Sequence, residues 1–471
     1  MAARPGCSDA GCAPLEPSAF SAMFLDSATL HDLEVVPAPT MRGTTLWSLV
    51  DRTRSRVGRE CLRERLLDPP HTVDEILALQ AAHRVLGAEA GAYRTTLDRA
   101  GADAVEQYLH ANWQLPRNMP PLIRVRKWFR RYLQDIEDGR TRVKALLEAG
   151  GDLRSRLSCT DAALLRELGD KIAALIEAPA AGELRSLASR RSLAATCAFD
   201  QLARDGAKPL LTSLLHCVGG VEALWSVGAA TLEHGWTYPR PSSRLRAVGL
   251  FHPFLGRHAV PNDLDMDGRV RVCFVTGPNM AGKSTFLKAI AVAMVLAQAG
   301  CGVPATSMEF RPVGTVFSSV QIVDNLSAGE SFYLAEIRRI AALAVALANH
   351  GAVIAVVDEP FRGTNVHDAA EATLAVITRL AAHPTALVLV ASHLGEVVPA
   401  IVNDSRIALF HFAADVTTDQ PHFDYRLREG ASTQRLGMTL LRQEGVLALL
   451  ERAAKSAGVQ PNHAREPTAR R

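Results

Sequence analysis

The sequence predicts a multidomain chain, an all-α first part followed by an α/β layer domain with a largely parallel sheet. Three observations predict it. From about residue 30 to 236 apolar residues recur at helix spacing, and strand-like alternation is scarce. After Trp236, short β-type runs alternate with helical stretches: 270–276, 283–300, 353–357, 367–382 and 386–391. A glycine-containing loop joins the first of those strands to the first of those helices.

Residues 1–29 are rich in Pro, Gly, Ser and Ala and read as a loose tail. Leu62, Leu66 and Leu67, then Ile76, Leu77 and Leu79, mark two helices separated by Pro69-Pro70. Thr72 suits the N-cap of the second, with Glu75 completing a capping box. Longer Ala/Leu/Arg/Glu helices are expected at roughly 139–178 and 183–204, either packed in a bundle or extended as levers. No fixed-period repeat points to a solenoid. Residues 238–243, with two prolines, read as a linker, and 455–471 as a polar tail. The expected boundaries are therefore 30–236 for the helical domain and 237–454 for the second.

A length of 471 residues accommodates two or three buried cores. The net charge of +3 neither demands nor excludes a nucleic-acid partner. Eight scattered cysteines lack zinc-ligand spacing and read as reduced thiols of a cytoplasmic protein. The amino terminus lacks the apolar core of a signal peptide, and the apolar run 289–299 is too short to cross a bilayer. No membrane partner is expected.

The chemistry is concentrated in the second part. The run VRVCFVT leads into Gly277, Pro278, Asn279, Met280, Ala281, Gly282, Lys283, Ser284 and Thr285, which satisfies GxxxxGK[ST] between a strand and a helix. Glycines let backbone N–H groups wrap phosphate oxygens, and the helix dipole adds attraction. Lys283 is placed to reach the β- and γ-phosphates of ATP, and the Ser284 hydroxyl to ligate Mg²⁺. A second buried strand, 353–357, ends in Asp358-Glu359. Asp358 suits a water-mediated hold on Mg²⁺ and Glu359 the orientation or deprotonation of an attacking water. The same acidic pair is also compatible with a helix cap leading into Pro360. A third strand ends in Ser392-His393, where the imidazole senses a γ-phosphate or simply occupies a surface loop.

These motifs, in this order, resemble the MutS family of DNA mismatch-repair ATPases over residues 250–446. The resemblance covers HPFLGRHAVPNDL (252–264), the phosphate loop and its helix (276–305), DNLSAGES (324–331) with Glu336, DEPFRGT (358–364), ASH (391–393), and YRLREG (425–430) with Gly437. TTLWSLVD (44–51) and LRERLLDP (62–69) resemble that family's helical core more weakly. The resemblance implies an all-α core/lever domain followed by an α/β P-loop ATPase domain of ABC type. It also implies a composite site in a homodimer or paralogue heterodimer, with Ser331 of one subunit reaching the γ-phosphate held by the other. Tyr425 would lie against the adenine. Departures are Pro360-Phe361, Asn365, Phe332 in place of Thr, and Ala259-Val260 where an aromatic is common. No segment resembling a mismatch reader precedes residue 40, so DNA structure rather than a mispair is the expected target.

Residues 117–131 gather Arg124, Arg126, Lys127, Arg130 and Arg131 around Trp128 and Phe129. The cluster suits phosphate neutralisation with base stacking, or a solvated basic helix face with Trp128 and Phe129 in the core. Arg groups at 190–191 and 240–246 are weaker signals of the same kind. Two functions follow: an ATP-hydrolysing DNA-binding protein of repair or recombination, or an ATPase switch that binds a protein partner.

Overall fold

The computed structural model describes residues 23–37, 43–111, 127–321, 332–415, 422–432, 434 and 445–456. Helices α1 (Ser27–Asp32), α2 (Leu46–Val50), α3 (Arg56–Leu67), α4 (Val73–Ala88), α5 (Ala90–Ala100) and α6 (Ala102–Leu109) come first. They are followed by α7 (Lys127–Ser158), α8 (Ala163–Glu177), α9 (Pro179–Ser189), α10 (Leu193–Gln201) and α11 (Lys208–Glu233). Among the described residues no strand lies between 25 and 236, as the apolar spacing predicts. Thr72 and Glu75 form the expected capping box at the start of α4.

The helices pack rather than project. α11 runs along α3, α4 and α8, and glycines allow its closest approach. A Cβ added at Gly87 of α4 would lie 2.7 Å from the Gly228 carbonyl of α11. By composition α11 is long and apolar enough to cross a membrane, but 72% of its most apolar stretch is buried inside the protein. The two long helices expected at 139–178 and 183–204 are each interrupted. The first breaks where Cys159 and Thr160 close a turn onto Arg156 and Leu157. The second breaks where Ser192 leaves helix geometry to cap α10.

Beyond α11 lie strands β1 (Arg240–Pro241), β2 (Leu245–Leu250), β3 (Asn262–Met266), β4 (Val272–Thr276), β5 (Ser307–Phe310) and β6 (Thr315–Ser319). Next are β7 (Val353–Asp358), β8 (Ala386–Ala391), β9 (Ile407–His411), β10 (Ala414–Asp415), β11 (His422–Phe423) and β12 (Arg428–Glu429). The larger sheet has the order β12-β9-β4-β8-β7-β6. Its five strands from β9 to β6 are parallel, and β12 is antiparallel at one edge. Helices α12 (Lys283–Gln298), α13 (Phe332–His350) and α14 (Val366–Ala382) connect these strands. The short α15 (Val398–Ile401) precedes β9, and α16 (Val446–Ser456) continues past the expected tail boundary at 455.

Two further segments depart from the sequence reading. The expected linker at 238–243 contributes β1, the edge strand of a small sheet ordered β1-β5-β2-β3. Pro241 has no N–H to donate, which an edge strand tolerates. Part of the expected tail is also packed. Met23 and Thr29 are buried, and the Phe24 amide donates to the Gly314 carbonyl at 2.8 Å. Asp32 accepts the amides of Val320 and Gln321 at 2.8 and 3.0 Å, tying α1 to the end of β6.

One apolar cluster runs from Leu62, Ile76 and Val227 of the helical part to Phe286 and Met294 of α12. The helical part therefore shares a core with the helix that follows the glycine loop. His83 of α4 sits within hydrogen-bonding distance of the Gly300 carbonyl, 2.9 Å, just past the end of α12. Burial pushes its pKa down to about 3, so the imidazole is neutral there.

Candidate functional site

Strand β4 is wholly buried and delivers the chain to the 277–282 loop at the carboxyl edge of the sheet. The loop needs its glycines. Gly277 has φ +138°, and a Cβ there would meet the Phe412 carbonyl at 2.5 Å; Gly282 has φ +103°. Met280 also adopts positive φ and points outward, 75% exposed. Pro278, Asn279 and Ala281 complete the loop, and Lys283 opens α12.

The Lys283 ammonium is buried and donates to the carbonyls of Gly277 at 2.8 Å and Pro278 at 3.1 Å. It lies 3.8 Å from Glu359. Burial lowers its pKa, and the carboxylates of Glu359 and Asp358 oppose that shift. The next residue, Ser284, donates its hydroxyl to one oxygen of Asp358. The other oxygen, Oδ1, is buried without a hydrogen-bond partner among the described residues. Desolvation accordingly raises the Asp358 pKa, against the Ser284 bond.

Strand β7 presents Asp358 at its end, and Glu359 follows with φ +46°. Strand β8, next to β7 in the sheet, presents His393 just beyond its end. The result is an imidazole Nδ1 3.6 Å from Glu359 Oε1. That contact is the largest cause holding the Glu359 carboxyl below its usual range, and it raises His393 in turn. Arg362 approaches the same carboxylate at 3.9 Å. The sequence reading of an acidic pair as a helix cap does not describe this arrangement, because Asn365 caps α14.

A cavity of about 660 Å³ joins these groups to an apolar mouth formed by Leu255, Val260, Met280 and Tyr425. Thr285 also lines it, and His393 reaches it only through Glu359. Tyr425 is 44% exposed and has φ +55°. Its backbone is fixed by Asn262, whose amide donates to the Tyr425 carbonyl at 3.0 Å and accepts from Leu427 at 2.6 Å. His252 closes the inner wall, with its pKa lowered to about 4 by burial and by Lys288.

The structure thus brings Lys283, Ser284, Asp358, Glu359 and Tyr425 around one cleft, with His393 beside Glu359. Ser331 lies outside the described residues, as does Gly437, so neither is placed. Most of the basic segment 117–131 is outside them too. Asn262 and Arg362 were not singled out by sequence reasoning. Both lie within stretches carrying the family resemblance, but their partners are distant in sequence or conformational in origin.

Comparison with known proteins points the same way. Residues 273–458 match the family model MutS domain V. The chain is 33% identical over 240 residues to DNA mismatch repair protein MutS 2 of Halobacterium salinarum, covering 50% of this chain and 28% of that protein. It is 30% identical over 292 residues to DNA mismatch repair protein MutS of Roseiflexus castenholzii, covering 58% and 26%. For DNA mismatch repair protein MutS of Treponema pallidum the values are 34% over 290 residues, 56% and 30%. The chain spans less than a third of the length of these curated relatives.

Proposed function

We propose that the chain, similar to MutS proteins and matching MutS domain V over residues 273–458, belongs to that family, hydrolyses ATP in the cleft above and couples this to DNA binding. The observation that carries the reading is the Ser284–Asp358 pair, with Asp358 Oδ1 lacking a partner among the described residues. A buried carboxylate oxygen without a donor is costly unless a cation completes it. Ser284 and Asp358 are oxygen ligands of the hard type that Mg²⁺ prefers, so the residues fit that ion. Mg²⁺ would supply charge neutralisation at the phosphates.

The chain's own residues do the rest. The loop amides and Lys283 hold the triphosphate, with the ammonium turning from the Gly277 and Pro278 carbonyls onto phosphate oxygens. Tyr425 and Met280 offer apolar area to the adenine. Glu359, kept ionised by His393, accepts a proton from water as the water oxygen bonds to the γ-phosphorus and the bond to ADP breaks. His393 stands next to that carboxylate and responds to the γ-phosphate charge.

On this reading the active unit is a homodimer or paralogue heterodimer in which Ser331 of one subunit completes the site of the other. The protein is cytoplasmic and acts on DNA in repair or recombination. ATP turnover measured with and without branched and mismatched duplexes tests the proposal, beside a measurement of subunit number. Stimulation by branched DNA is expected. Absence of salt-sensitive DNA retention would remove DNA from the reading and favour a protein-partner switch.

A further inference from the structure

A second cavity, of about 700 Å³, opens between the helical part and the small sheet, away from the glycine loop. Its walls carry Arg84 of α4, Trp236 and Tyr238 after α11, and Arg240, Arg246 and Glu309 of the small sheet. The strand register organises the charges. Arg240 on β1 and Arg246 on β2 both pair with Glu309 on the intervening β5, so the three side chains share one face. The two arginines are separated by two strand spacings of about 4.8 Å each.

A row of alternating charges on a sheet is ordinarily a self-neutralising ladder. Here the ladder does not close. Glu309 is occupied by Arg244, which grips it at 2.8 and 3.0 Å and holds its pKa down. Arg246 has Asp265 at 3.5 Å. Arg84 and Arg240, both exposed, have no carboxylate partner among the described residues. The Arg84 guanidinium instead stands 4.5 Å from the centre of the Tyr238 ring. Two guanidiniums without a carboxylate partner among the described residues thus flank an aromatic-walled cleft of the size that takes small ligands.

We propose that this cleft is a second, non-catalytic binding site for a nucleotide unit. Its phosphate is held by Arg84 and Arg240, and its base lies against the Tyr238 face that Arg84 leaves as it turns to the phosphate. Forked guanidiniums match phosphate oxygens, and aromatic faces stack bases irrespective of sequence. The unit comes either from a free mononucleotide or from a single strand of nucleic acid. The second source rests on the DNA-binding reading above and the first does not. The walls come from both parts of the chain, so an occupant bridges the end of α11 to the small sheet.

The test uses the full chain carrying Lys283→Ala, which silences the glycine-loop site, and follows anisotropy of fluorescein-labelled oligothymidylate and fluorescence of mant-ADP. At low salt one probe binds, and adding Arg84→Gln with Arg240→Gln weakens it roughly tenfold. For the oligothymidylate, the slope of log affinity against log salt falls by about 0.7, the value for one phosphate contact on a single strand. Tyr238→Ala weakens binding without changing that slope. The double arginine variant in the Lys283 background retains its melting temperature, and in an otherwise native chain it retains ATP turnover. Binding of neither probe overturns the proposal. So does equal binding of both with and without the arginines, even if the native chain still retains duplex DNA elsewhere. Arginine-dependent mant-ADP binding without any DNA binding keeps this site while removing the DNA reading.

Discussion

The Glu336 carboxylate accepts the backbone amide of Gly363 at 3.1 Å, and that of Arg362 at 3.3 Å, from a buried position on α13. The loop it holds leaves β7 through Glu359 and Phe361, both at positive φ without being glycine. Such backbone is locally unfavourable and persists only when contacts outside the loop fix it. Glu336 is therefore a positioning residue for Glu359. Glu336→Ala is expected to lower kcat by roughly a hundredfold, the scale of a misplaced reacting group, while mant-ATP affinity changes little. Faster hydrogen exchange confined to the amides of Arg362 and Gly363 separates this role from general destabilisation. Exchange that accelerates throughout the sheet instead would sink it.

The loop residues and Glu359 should fail differently. Lys283→Ala removes the only ammonium among the described residues lining the cleft, so tight ATP binding is lost in equilibrium titration. Glu359→Ala leaves the phosphate-binding groups intact. It should bind ATP with near-native affinity but turn over at least about a hundredfold more slowly, and accumulate as a dimer in size-exclusion chromatography with ATP. Unchanged turnover in Glu359→Ala takes it out of the base role.

Apart from Tyr425, the parts of the cleft visible in the sequence each follow or end a buried apolar run. Lys283 and Ser284 follow β4, Asp358 and Glu359 end β7, and His393 follows β8. An apolar run that stops at a charged residue carries its meaning locally, so one sequence suffices. The pairs that were not legible are long-range. Asn262 finds Tyr425 across the cleft, and Asp32 finds Val320 and Gln321 nearly three hundred residues on. No local periodicity encodes either contact. The α7–α8 break escaped notice for another reason: Cys159-Thr160-Asp161 turns the chain without glycine or proline.

Packing at the α4–α11 crossing gives a stability test with an internal control. Gly87→Ala places a methyl group 2.7 Å from a backbone carbonyl that cannot move alone. Overpacking of this kind is expected to cost about 3 kcal/mol, read as a lower urea midpoint. Gly151→Ala, in the interior of α7 with nothing within 4 Å of the new Cβ, should instead raise stability by roughly 0.5–1 kcal/mol. If both substitutions move the midpoint alike, the close approach is not what makes Gly87 necessary.

The same junction should be sensitive to acid through His83. In the folded chain its pKa falls from 6.5 to about 3, chiefly by burial, with Arg65 and Arg84 adding repulsion. The unfolded chain then binds the extra proton between those two values and the folded chain does not, so stability rises with pH across that window. The contribution is complete above about pH 6.5 and is lost progressively as pH falls toward the folded value. His83→Gln keeps a side chain able to donate to the Gly300 carbonyl but cannot titrate. Thermal melting between pH 7 and 5 should therefore fall more steeply for the native protein than for His83→Gln. The native slope also contains carboxylates such as Asp26 and Glu75, whose pKa values are lowered, and both proteins share these. Only the difference between the two slopes reports on His83. Parallel curves would mean that the imidazole takes up its proton without loosening the helical part from the end of α12.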